Sequence, residues 1–139
     1  MKNYGKLYKE PIVNMLNDED NILETFIDTS HGFVTDTNKC ANGIVARPYD
    51  KIKADIILNK IILQYPSVHG HVNDNWLNIV DVSVSKYSAL EYLLENYRLK
   101  KEDIFVFGND ITDIDLVKNY NGYVFCDCDD DLKIYSKGE

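Results

Sequence analysis

Ile104-Phe105-Val106-Phe107-Gly108-Asn109-Asp110-Ile111-Thr112-Asp113-Ile114-Asp115-Leu116-Val117 is the stretch whose reading decides this chain. Four apolar residues run unbroken into Gly108, the pattern of a strand buried on both faces of a parallel sheet. Asn109, Asp110 and Asp113 follow in a loop, before a helix predicted over 113–120. Three oxygen-bearing side chains at a strand's carboxyl end suit a hard cation. Mg²⁺ prefers oxygen ligands and usually takes one or two carboxylates from the protein. Loops at the carboxyl ends of strands in open α/β sheets are also where ligands bind. A plainer reading stands beside this one: Asp and Asn are common turn and N-cap residues, and Asp113 is placed to cap the helix.

Upstream, Trp76 to Val82 alternates as a strand, and Ser83 to Ser85 offer helix-capping hydroxyls. A helix is predicted from Lys86 to Tyr97, with Ala89, Leu90, Leu93, Leu94 and Tyr97 on one face. A lone lysine on such a helix is ordinarily solvated. Here one helix-strand unit links Lys86 to the acidic loop, so both can point to the same edge of the sheet. Downstream, Tyr123 to Cys126 is a further apolar strand, and Asp131 to Ser136 a last helical turn. Helices and strands alternating at this short spacing predict an α/β fold with a parallel sheet.

Residues 1 to about 75 give weaker signals, and all three prolines (Pro11, Pro48, Pro66) fall there. Leu16, Leu23 and Phe26 suggest a helix over 14–26, interrupted by the polar run 17–21. Strands are predicted over 33–36 and 43–47. Lys51 to Leu63 carries a wide apolar stripe and reads as a helix. Tyr65 to His71 reads as a loop or edge strand, because Pro66 cannot donate to a ladder. The expected division is therefore a cap-like or remodelled α+β segment over 1–75 and an α/β core portion over 76–139.

Three segments together carry a family resemblance: Asn75 to Ile79, Val84-Ser-Lys-Tyr-Ser-Ala-Leu-Glu-Tyr-Leu-Leu94 and Phe107 to Leu116. They resemble the C-terminal part of haloacid dehalogenase-like phosphatases, in the Cof-type branch with a large inserted cap. The resemblance covers about residues 70–139. More faintly, helix 51–63, segment 65–71 and strand 76–80 match the last part of a cap. It implies a Rossmannoid fold and an Mg²⁺-dependent phosphatase acting on a small phosphorylated substrate, while composition and cysteine usage separately give the expectation of a cytoplasmic chain. In such a protein Lys86 would neutralise an aspartyl-phosphate intermediate, and Asn109, Asp110 and Asp113 would hold the metal. The family pattern is Gly-Asp-x-x-Asn-Asp, and here it reads Gly108-Asn-Asp-Ile-Thr-Asp113. The family's first aspartate thus falls on Asn109 and its asparagine on Thr112, with Asp110 one place along to take over as ligand.

The family's nucleophile is the first aspartate of an Asp-x-Asp motif, and covalent catalysis of this type requires it. Asp18-Glu-Asp20 has the spacing without a strand before it. Phe26-Ile-Asp28-Thr-Ser30 has a better apolar lead-in, although Ser30 stands where the acid/base aspartate belongs, and Val34-Thr-Asp36-Thr-Asn38 fails in the same way. Asp28 is the best of these. His31, His69 and His71 lie in polar segments and read as solvent-facing. Three readings follow: an active phosphatase, a shortened non-catalytic relative binding a cation or a partner chain, or a piece completed by a complementary chain or by homo-oligomerisation.

Composition narrows the alternatives. A net charge of −8 disfavours nucleic acid and anionic membranes as partners, since both need basic patches. No run approaches the roughly 20 apolar residues of a membrane span. Cys40, Cys126 and Cys128 make neither a zinc site nor a disulfide framework, which fits a reducing cytosol. Asp127, Asp129, Asp130 and Asp131 crowd one segment, which reads as a solvated loop or helix N-terminus rather than as a second cation site.

Overall fold

Apolar alternation between turn residues builds an antiparallel sheet in the first of two units into which the chain divides, Met1–Val82 and Ser83–Glu139. The computed structural model describes residues 9–73 and 76–138. The first unit runs α1 (Lys9–Asn17), β1 (Ile22–Thr29), β2 (Gly32–Val34), β3 (Gly43–Pro48), α2 (Lys51–Gln64), β4 (Val68–Asn73) and β5 (Trp76–Asp81). Its strands lie in the order β2-β1-β3-β5-β4, every pair antiparallel. Ile12 and Leu16 of α1 and Ile57 and Ile61 of α2 share one core with Ile27, Ile44, Leu77 and Ile79 of the sheet. Asp50 starts α2 by accepting from the Lys53 N–H at 3.1 Å, as an N-cap should.

The helix expected over 14–26 is corrected. The polar run 17–21 ends α1 at Asn17, and Ile22–Thr29 is a strand. The β-branched and aromatic residues Ile22, Thr25, Phe26 and Ile27 suit a pleated surface better than a helix. Segment 65–71 does enter an edge strand, β4. Strand Trp76–Asp81 pairs with β3 and β4, so it belongs to the sheet of the first unit, and the division follows Val82. Opposite the helices, Phe33 stacks against Phe26 and lies beside Trp76, with ring centroids 6.2 and 6.5 Å apart.

The second unit runs α3 (Lys86–Tyr97), β6 (Phe105–Gly108), α4 (Ile114–Asn119), β7 (Asn121–Val124) and α5 (Asp130–Lys133), with single 3-10 turns at Lys101–Asp103 and Ile111–Asp113. β6 and β7 pair in parallel, joined by α4. The predicted helix 113–120 therefore begins as a 3-10 turn and becomes α-helical at Ile114. Gly122 is needed for the close approach of α4 and β7, because a Cβ there would sit 2.2 Å from the Val117 carbonyl oxygen. Val106 and Val124 pack with Leu94, Val117, Tyr120 and Leu132.

The other face of this pair is open, which corrects the expectation of a strand buried on both sides. Phe105 and Phe107 are 62% and 65% exposed. Their rings stack on Tyr123 at 6.2 and 5.8 Å. The fold is mixed α and β: the first unit is an antiparallel α+β segment, and the second is α/β with a parallel strand pair, as the alternation of elements there implied. Among the described residues no helix is long and apolar enough to cross a membrane.

Candidate active site

Gly108 closes β6 where the chain must turn tightly. A Cβ on it would meet the Cβ of Asp113 at 2.8 Å and a Val117 methyl at 3.0 Å. The absent side chain lets Asp113 fold back against the strand end. Asp110 then starts the 3-10 turn, its Oδ1 accepting from the Thr112 N–H at 2.7 Å and the Thr112 hydroxyl at 2.5 Å. This turn carries Asp113 inward, where it is 5% exposed. Its Oδ2 accepts from the Asn109 N–H at 3.2 Å.

The second oxygen of Asp113 meets a cation. Lys86 Nζ lies 2.5 Å from Asp113 Oδ1 and 3.4 Å from the Thr112 hydroxyl. Lys86 is the first residue of α3, held there by a reciprocal cap. Ser85 Oγ accepts from the Ser88 N–H at 3.0 Å, and Ser88 Oγ accepts from the Ser85 N–H at 2.9 Å. A lysine in the first turn stands against the helix dipole, which favours anions at that end. Asp113 offsets that cost, and the lysine side chain as a whole stays more than half exposed at the edge of the loop.

Lys86, Asn109, Asp110 and Asp113 thus come together at the carboxyl end of β6. Asp28 belongs to the first unit, in β1, opposite Phe33 in an antiparallel pair. The three histidines also belong to the first unit, His31 in the β1–β2 turn and His69 and His71 in β4. Asp129, which the sequence reads only as part of a solvated loop or helix N-terminus, reaches the loop after β6. Its Oδ2 accepts from the Ile111 N–H at 3.0 Å. The available signal was its place just ahead of Asp130-Asp-Leu-Lys133, which marks a helix start and not a partner 18 residues away.

The donors fit Mg²⁺ by their chemistry. Asn109, Asp110 and Asp113 offer oxygens, two of them as carboxylates, on a loop fixed by its own hydrogen bonds. That is the small protein share this ion uses when it keeps several waters. Among the described residues no group of three or more His, Cys, Asp or Glu is gathered to hold a metal.

The sequence profile of the haloacid dehalogenase-like hydrolases matches residues 6–135, nearly the whole chain. The chain belongs to that family. No curated protein sequence matches it. Among solved structures, this hydrolase-family chain is similar to a protein of Eubacterium rectale, with a TM-score of 0.76 and 19% identity over 96% of this chain and 61% of that one. A haloacid dehalogenase-like hydrolase of Bacteroides thetaiotaomicron gives 0.71 and 12%, over 99% and 61%. A sugar phosphatase of subclass IIB of the superfamily gives 0.72 and 11%, over 94% and 59%. At these identities the likeness is one of fold. The chain spans about three fifths of the length of these structures.

Proposed function

We propose that this chain carries the charge-neutralising and cation-holding part of a Mg²⁺-dependent phosphomonoester hydrolase acting on a small phosphate ester. The observation behind this reading is the Lys86–Asp113 pair at 2.5 Å, set beside Asn109 and Asp110 at the end of a parallel strand. The Lys86 ammonium offsets negative charge on phosphoryl oxygens, and preorganised charge of this kind is a large part of catalysis. Asn109, Asp110 and Asp113 hold the cation. Bound there, Mg²⁺ supplies Lewis-acid stabilisation of the phosphoryl group. Turnover also needs a carboxylate that forms a bond to phosphorus as the ester oxygen leaves, and then water to release phosphate. Asp28 is the candidate within the chain. One fold neighbour is a sugar phosphatase, so sugar phosphates are the first substrates to try.

A second reading is favoured by the open side of the second unit. Among the described residues β6 pairs with β7 alone, and Phe105 and Phe107 are exposed. In that reading the chain is a non-catalytic relative that binds a cation or partner, or a further strand bearing the nucleophile comes from a second copy or a complementary chain. Hydrolysis of an aryl phosphate with and without Mg²⁺ separates the two. Mg²⁺-dependent turnover that Asp113→Asn abolishes supports the phosphatase, and its loss in Asp28→Asn assigns the nucleophile. Turnover without Mg²⁺, or none, contradicts the phosphatase.

A further inference from the structure

Asp129 occupies the N-cap position of α5, where an aspartate normally accepts from the N–H groups of its own helix. It makes no such bond. Its carboxylate reaches back to the preceding loop and accepts from the Ile111 N–H at 3.0 Å. Its own N–H donates to the Asn109 carbonyl at 3.3 Å. Two bonds from one residue thus grip the backbone on either side of Asp110.

We infer that Asp129 is the positioning residue of the cation loop, setting the orientation of Asn109 and Asp110 without contacting the cation; this rests on the Mg²⁺ reading above. With the chain pinned at 109 and 111, the backbone of Asp110 has little freedom left. The Asp110 carboxylate can then accept from Thr112 while its loop keeps one shape. The opposite end of the loop is held by Asp113 on the Asn109 N–H. Asn109 is therefore gripped through its carbonyl by Asp129 and through its N–H by Asp113. Partners that orient metal ligands without binding the metal typically account for about 10- to 100-fold in affinity.

The test uses the whole chain, Mn²⁺ as the probe, and two variants. Asp129→Ala removes the acceptor, and Asp129→Asn keeps an oxygen that can accept from the Ile111 N–H. Mn²⁺ binding read by electron paramagnetic resonance is expected to weaken at least about 10-fold in Asp129→Ala and less than about three-fold in Asp129→Asn. Hydrogen exchange at the Ile111 amide, measured without metal, is expected to quicken in Asp129→Ala alone, with Val106 unchanged. Wild-type affinity and unchanged Ile111 exchange in Asp129→Ala overturn the inference. Equal losses of Mn²⁺ affinity in both variants overturn it too, since they point to charge or direct ligation. A wild-type chain that binds no Mn²⁺ sinks the Mg²⁺ reading, and the exchange measurement still decides whether Asp129 holds the loop.

Discussion

Asp113 is almost fully buried, with Lys86 Nζ 2.5 Å from one carboxylate oxygen and the Asn109 N–H 3.2 Å from the other. This pairing joins α3 to the loop after β6, so it bears on the stability of the second unit as well as on its chemistry. Removing one partner of a fully buried ion pair costs about 3–5 kcal/mol. Lys86 is more than half exposed, so water reaches the remaining carboxylate and moderates the loss. Lys86→Met is expected to cost about 1–2 kcal/mol, seen as a lower urea midpoint at pH 7. An unchanged midpoint would show that the pair is no more than a surface contact.

The two glycines at either end of the β6–β7 crossover should respond differently. Gly122→Ala places a Cβ against Val117 backbone, at 2.2 Å from its carbonyl oxygen and 2.5 Å from its Cα, so β7 and α4 must part. A loss of at least about 2 kcal/mol is expected, at the upper end of overpacking costs. Gly108→Ala instead meets the Asp113 side chain. It is expected to lower Mn²⁺ affinity by more than its effect on folding would explain. Urea denaturation and Mn²⁺ titration of both variants check this contrast.

Tyr120 sets an alkaline limit. Burial first, and then the hydrogen bond its hydroxyl donates to Glu91, hold its ionisation well above the ordinary tyrosine value of 10.0. A proton held more tightly in the folded chain gives stability that is fully present below pH 10. That stability is lost as pH rises through the folded value. Thermal unfolding from pH 8 to 11 should show this decline, and Tyr120→Phe should flatten it. At pH 7 the substitution is expected to cost about 1 kcal/mol, the net worth of one hydrogen bond.

What the sequence reveals depends on how local the cause is. Strand β6, its closing glycine and the loop acids can be read because strand, turn and ligand chemistry sit within a few adjacent residues. Lys86 is found by its place one helix and one strand earlier, and the structure sets it against Asp113. The strand Ile22–Thr29 is misread because Leu23 and Phe26 also fit a helical spacing with Leu16. Its strand character is fixed by pairing with β3, which no local pattern displays. The apolar run 104–107 predicts burial and not on which faces. Phe105 and Phe107 are exposed because α4 and the other packed groups cover one side. Asp129 looks like any acidic helix start until the fold lays it against Ile111.

The central claim is that Asn109, Asp110 and Asp113 bind a divalent cation beside Lys86. The most direct measurement is Mn²⁺-induced broadening of amide resonances in ¹⁵N-labelled protein. Substoichiometric Mn²⁺ is predicted to erase the signals of residues 109–113 and 86 first, and Mg²⁺ in excess to restore them. In Asp113→Asn the same Mn²⁺ should leave those signals sharp. Broadening centred elsewhere, or the same pattern in Asp113→Asn, would contradict the account.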